Sequence, residues 1–190
     1  MKIKKLFLVI AVISLCPLTY GQTDNNDQPA SVEKTIRDIR KEYNLVKSQI
    51  ATLDKDGYAG ELFCLHTIDN KYGKSYPGVG VYQGELFFYY EAEGGCPPIL
   101  RMVIEKVNSA GKTIYFEALY SKESEVLFVF EKNEYDNNIA KRFYFRDGSI
   151  VKYSENNVDI KLDTISDETI WIYRAASAHK TRFDLFFEVE

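Results

Sequence analysis

The chain has 190 residues, of which 45% are hydrophobic, 14% aromatic and 27% charged, with a formal net charge of −4. That composition can fill the core of one folded domain and excludes a wholly disordered chain. An acidic balance without a basic run argues against nucleic acid and against anionic membrane surfaces as partners.

Met1-Lys-Ile-Lys-Lys5 is a basic leader. Leu6 to Leu18 is an apolar run of about 13 residues, the make-up of a signal peptide and short for a membrane span. Pro17 interrupts the run, so no stable membrane span is expected. Cleavage is expected after Gly21, exporting the chain to the periplasm or beyond. Loss of Lys2, Lys4 and Lys5 would take the net charge from −4 to −7. Lipidation at Cys16 is an alternative, disfavoured by Leu15 where a small residue is usual. Residues 22–29 read as a flexible polar leader and 30–190 as one domain.

Ser31 can cap a helix. Val32, Ile36, Ile39, Tyr43, Val46, Ile50 and Leu53 then recur every three or four residues, one apolar stripe along the helix. Asp54-Lys-Asp-Gly57 ends it, with Gly57 as the left-handed cap. The fragment resembles part of a calcium loop, but the remaining ligands do not follow.

Glu61 to Ile68 reads as the first strand. Asp69 to Gly80 is a long Tyr/Gly-rich connection, and such loops on rigid scaffolds often carry binding. Further strands follow at 85–91, 99–105, 113–120, 125–131, 141–146 and 149–153, separated by short polar turns. Connections this short force antiparallel neighbours. The fold class is therefore α+β. We expect a single antiparallel β-meander of about seven strands, with the N-terminal and C-terminal helices packed on one face.

Ile114, Phe116, Ala118 and Tyr120 alternate along one such run. With Val126, Phe128, Phe130, Phe143 and Phe145 they should face the helices. Tyr115, Glu117, Glu131, Arg142, Tyr144 and Arg146 should fall on a wetter face. The Asp147-Gly148 turn decides whether Ile150 or Val151 joins the core side; a two-residue turn selects Ile150. Thr164-Ile-Ser-Asp167 resembles a capping box for the last helix. Residues 181–189 alternate as a strand would and also continue a helix through Phe183 and Phe187. The helical reading is preferred.

Export would leave Cys64 and Cys96 in an oxidising compartment, where a disulfide between them is the default use. The two histidines, His66 and His179, have no accompanying catalytic motif. His66 reads as an ordinary strand residue and His179 as an exposed helix residue. Glu85, Glu91, Glu105, Glu117 and Glu131 read as the solvated side of the strands. No catalytic residue, metal site or cofactor is implied. Exposed tyrosine is the strongest functional hint, and Tyr72, Tyr76 and Tyr82 form the candidate binding surface.

Arg142-Phe-Tyr-Phe-Arg-Asp-Gly-Ser-Ile-Val-Lys152, preceded by Glu125-Val-Leu-Phe-Val-Phe-Glu-Lys132, resembles the tandem hairpins of small exported Bacteroidetes-type proteins. Ser149 stands where those hairpins usually carry Lys. The resemblance implies a helix, an antiparallel sheet and a C-terminal helix, and it carries no activity. The expected function is a non-catalytic envelope module that binds another protein or a glycan. The alternatives are a carboxylate-based hydrolase of envelope polymers and a secreted enzyme inhibitor.

Overall fold

The structure, a computed structural model, describes residues 29–187 apart from 79, 95 and 165, and leaves aside the side chains of 29, 164 and 166–169. The expected signal segment, Cys16, nearly all of the leader, and the capping-box side chains at 164, 166 and 167 lie outside the described residues.

Helix α1 spans Pro29–Asp56. Its stripe is buried as the spacing predicts: Ile36, Ile39, Val46 and Ile50 are in the core, with Val32, Tyr43 and Leu53 packed beside them. Each such aliphatic burial contributes about 1.5–3 kcal/mol. The helix stops at Gly57, whose φ is 70° and whose N–H donates to the Leu53 carbonyl at 2.8 Å. Ser31 does not cap the helix. It lies inside the first turn, because the helix already begins at Pro29, where a proline suits the first turn. The Ser31 hydroxyl instead accepts from Arg146 Nη1 at 3.2 Å.

The sheet has nine strands. These are β1 (Leu62–Asp69), β2 (Ser75–Tyr76), β3 (Gly80–Glu91), β4 (Ile99–Ser109), β5 (Lys112–Tyr120), β6 (Val126–Asn133), β7 (Ile139–Arg146), β8 (Ser149–Glu155) and β9 (Val158–Ile160). Helix α2 (Ser166–Phe187) follows a single 3-10 turn. Strand order is β1-β3-β4-β5-β6-β7-β8-β9, all antiparallel, and β2 pairs with the start of β3. This is the α+β meander that the sequence predicts, extended by two short strands. β9 forms because Asn156 and Asn157 both take positive φ, 48° and 70°, and make a second tight hairpin.

The helices do not share a face. α1 packs with Tyr89, Met102, Leu119, Phe128 and Tyr144. Ile172, Ala176 and Phe183 of α2 pack with Phe88, Phe116, Tyr120 and Phe145. The reason lies in the central strands. Met102, Val103 and Ile104 are buried in succession, as are Ala118, Leu119 and Tyr120, so both faces of the sheet are apolar and both need cover.

Register also corrects the face assignments. Phe116 pairs with Glu131 and Glu117 with Phe130, so Phe128 and Phe130 lie on the α1 side and Glu131 on the α2 side. An irregularity between Leu119 and Tyr120 then returns Val126 to the α2 side, opposite Tyr120. At the Asp147-Gly148 turn both residues have positive φ, 52° and 71°, and Ile150 pairs with Phe145 in the α2 core. Val151 packs on the other side, against the α1 core.

Candidate functional site

Cross-strand pairing lines up Phe87, Ile104, Glu117, Phe130, Arg142 and Ser154 in one row on the α1 side. Arg40, Tyr43 and Lys47, spaced three and four along α1, lie on one flank of the helix. Tyr43 and Lys47 both bond to Glu117, so this row marks the margin where the helix leaves the sheet.

Glu117 is 3% exposed. Tyr43 donates its hydroxyl to Glu117 Oε2 at 2.6 Å, and Lys47 Nζ donates to Oε1 at 2.7 Å. Tyr115, two residues earlier on the same strand face, donates to Oε1 as well. Burial, reinforced by the bond to Glu117, pushes the Tyr43 and Tyr115 phenols well above the ordinary tyrosine range. The carboxylate is thus held by three donors, one of them cationic.

A second buried ion sits further along the same side. Arg101 is 2% exposed and donates to Glu42 of α1 and to Glu91 of β3. Lys122 lies 3.2 Å from Glu91. Arg101 occupies a register irregularity of β4, since Tyr89 pairs with Met102 and Tyr90 with Leu100. The strand alternation does not single it out. Its signal was a lone charge within the apolar run Ile99-Leu-Arg-Met-Val-Ile104.

Arg142, expected on the wetter face, is half-buried. Its Nη1 is buried without a hydrogen-bond partner, and its guanidinium carbon lies 5.0 Å from the Phe130 ring centroid. It shares a cleft of about 390 Å3 with Arg40, Tyr144, Lys152, Ser154 and Asn157.

The sequence-expected tyrosines separate. Tyr72 is 84% exposed and Tyr76 46% exposed on the β1–β3 connection. Tyr82 meets Tyr76 edge to face at 6.4 Å and lies over Gly84, where an added Cβ would come within 3.0 Å of its hydroxyl. Tyr82 therefore covers a glycine gap in β3, and burial raises its phenol above the usual range. Tyr135, 48% exposed, lies outside the expected tyrosine surface. It sits on the β6–β7 turn, donates to the Ser109 carbonyl at 2.6 Å and stacks under Lys112. In an antiparallel meander the β1–β3, β4–β5 and β6–β7 connections fall at the same end of the sheet. Tyr72, Tyr76 and Tyr135 consequently share that end. Tyr89 and Tyr144 are buried, and Tyr90 packs on Phe183 and Phe187 of α2.

No family model, curated protein or solved structure matches the chain. The site therefore stands on its own geometry.

The expected Cys64–Cys96 disulfide is not formed; both thiols are free and exposed. Cys64 pairs with Tyr89, two positions inward from the Leu62–Glu91 pair. Two strand residues span about 7 Å. Cys96 lies in the turn beyond Glu91. A bridge needs Cα atoms about 4.4–6.8 Å apart. Burial raises the Cys64 thiol above its usual range.

His66 stacks on Phe87 at 4.0 Å and its Nε2 lies 3.6 Å from Glu85. His179 is not exposed as expected. It faces the sheet, with Nε2 3.5 Å from Glu105 and its ring against Phe116. The strand glutamates likewise do not form one solvated row, because Glu117 is buried and Glu91 is paired with Arg101. Among the described residues, no three His, Cys, Asp or Glu side chains gather as metal ligands, and no helix is long and apolar enough to cross a membrane.

Proposed function

We propose that the protein is an exported, non-catalytic binding module of the cell envelope, contacting another protein or a glycan through the loop end of its sheet. The carrying observation is the exposure of Tyr72, Tyr76 and Tyr135 on connections at that one end. Tyrosine offers a flat apolar face with a polar tip and loses little side-chain freedom on binding. The rigid double-sided core behind these loops limits the ordering cost of association.

The carboxylates argue against the hydrolytic alternative. Glu117 has both oxygens engaged by Tyr43, Lys47 and Tyr115. Glu91 is tied to Arg101 and Lys122. A general acid or base must exchange a proton with substrate, and these groups are committed to holding α1 and the strands together.

The test is capture from envelope extract on immobilised protein, comparing the wild type with a Tyr72→Ala/Tyr76→Ala/Tyr135→Ala variant. A ligand retained by the wild type and lost by the folded variant supports the reading. Equal retention by both moves binding off these loops and defeats it.

A further inference from the structure

We propose that the cleft between α1 and strands β7–β9 binds a small oxyanion, a carboxylate or phosphate carried by a polar molecule. This inference is independent of the tyrosine surface. It rests on three cations brought together from distant parts of the chain: Arg40 of α1, Arg142 of β7 and Lys152 of β8. One carboxylate, Asp159, lines the same space and lies 2.8 Å from Lys152. The cleft therefore carries an excess of positive charge in a chain that is acidic as a whole.

The guanidinium groups are prepared for a ligand. Arg142 Nη1 is buried with no acceptor, while its guanidinium carbon lies over the Phe130 ring. A buried N–H without a partner is costly, and an incoming oxyanion would supply the missing acceptor. Arg40 is oriented by its Nε, which donates to the Tyr144 hydroxyl at 3.4 Å, with the guanidinium 5.6 Å from the Tyr144 ring centroid. That hydrogen bond is the main reason the Arg40 guanidinium is held even more firmly protonated than usual. Planar arginine forks match carboxylate and phosphate oxygens in pairs.

Neutral donors complete the lining. Ser154 is buried and pairs with Arg142 across the strands, and Asn157 sits on the β8–β9 turn. The cleft of about 390 Å3 adjoins a hollow of about 260 Å3 that shares Arg40, Arg142 and Tyr144 and reaches Phe128, Phe130 and the Glu117 carboxylate, whose charge Lys47 offsets. A polar recess beside aromatic rings suits a sugar-sized molecule with one anionic group.

Calorimetric titration of the purified protein with inorganic phosphate, glucuronate and glucose tests this directly. Saturable binding of an anion with Kd of about 1 mM or tighter, weakened by salt, is expected, with no binding of glucose. Phosphate binding alone identifies a phosphate ester as the source, and glucuronate alone identifies a carboxylated ligand. Binding of both identifies an oxyanion site that does not distinguish them. Arg142→Met should weaken binding by more than about tenfold. If that variant does not fold, Arg40→Gln and Lys152→Gln decide the matter, each with a clear loss of affinity. Asp159→Asn should tighten binding, because it frees Lys152. The Tyr72/Tyr76/Tyr135 variant should bind the anion as the wild type does. No saturable binding of either anion, equal binding of glucose, or unchanged affinity in both Arg40→Gln and Lys152→Gln would overturn the proposal.

Discussion

Tyr43 of α1 donates its hydroxyl to the buried carboxylate of Glu117 on β5 at 2.6 Å. The two residues are 74 positions apart, and their bond fixes where the helix margin meets the sheet. Lys47, one helical turn on, supplies the positive charge that makes a buried carboxylate tolerable.

Removing that carboxylate strands its donors. Glu117→Gln should destabilise the protein by about 2–4 kcal/mol, since Lys47 loses its counter-ion and two phenols lose an ionised acceptor. Tyr43→Phe should cost about 1–2 kcal/mol. Urea unfolding followed by far-UV circular dichroism measures both. A Glu117→Gln variant as stable as the wild type would show that the network contributes nothing net.

Buried phenols, two of them in this network, set an alkaline limit. Burial raises the phenols of Tyr43, Tyr89, Tyr115 and Tyr120 above the unfolded value of about 10. Above that pH the unfolded chain gives up protons that the folded chain keeps, so unfolding becomes more favourable as pH rises. The stabilisation is complete below pH of about 10 and is lost progressively above it, by up to about 1.4 kcal/mol per pH unit for each phenol. Unfolding midpoints should stay level from pH 8 to about 10 and fall steeply above that, and Tyr43→Phe with Tyr115→Phe should flatten the slope. An unchanged slope in the double variant would remove these two phenols from the account.

Arg101 makes a different prediction. Arg101→Ala leaves Glu42 without the guanidinium it bonds, and leaves Glu91 with only the more exposed Lys122. The expected loss is about 3–5 kcal/mol. Thermal unfolding checks it, and Lys122→Ala should be nearly silent by comparison.

The free thiols are equally testable. Native protein should react with a thiol reagent at both Cys64 and Cys96, with Cys64 the slower because burial disfavours its thiolate. Changing both to Ser should alter stability by less than about 1 kcal/mol, whereas losing a native disulfide costs about 2–5 kcal/mol. A large loss would restore the bridge.

Much of the fold was legible because its signals are local. The stripe from Val32 to Leu53, the Gly57 stop and the Asp147-Gly148 turn each depend on a few neighbouring residues. The allocation of faces was not, because it depends on register. Phe128 and Phe130 follow Val126 at alternate positions, yet a register irregularity sends them to the other side. The continuous apolar run Met102-Val103-Ile104, buried throughout, is the sequence sign of a sheet covered twice. The cleft is illegible in the sequence for the same reason, since Arg40 and Arg142 meet only through tertiary packing. Counting tyrosines overstated the surface: Tyr89 and Tyr144 are spent in the core, and Tyr82 shields Gly84.

The most direct test of the central claim is to incubate envelope extract with the immobilised protein and measure both what is retained and the length of the polymers present. The account predicts retention of a ligand whose length is unchanged, and loss of retention in the folded Tyr72/Tyr76/Tyr135 variant. Shortening of the polymer by the folded wild type would contradict it and assign the chain to hydrolysis.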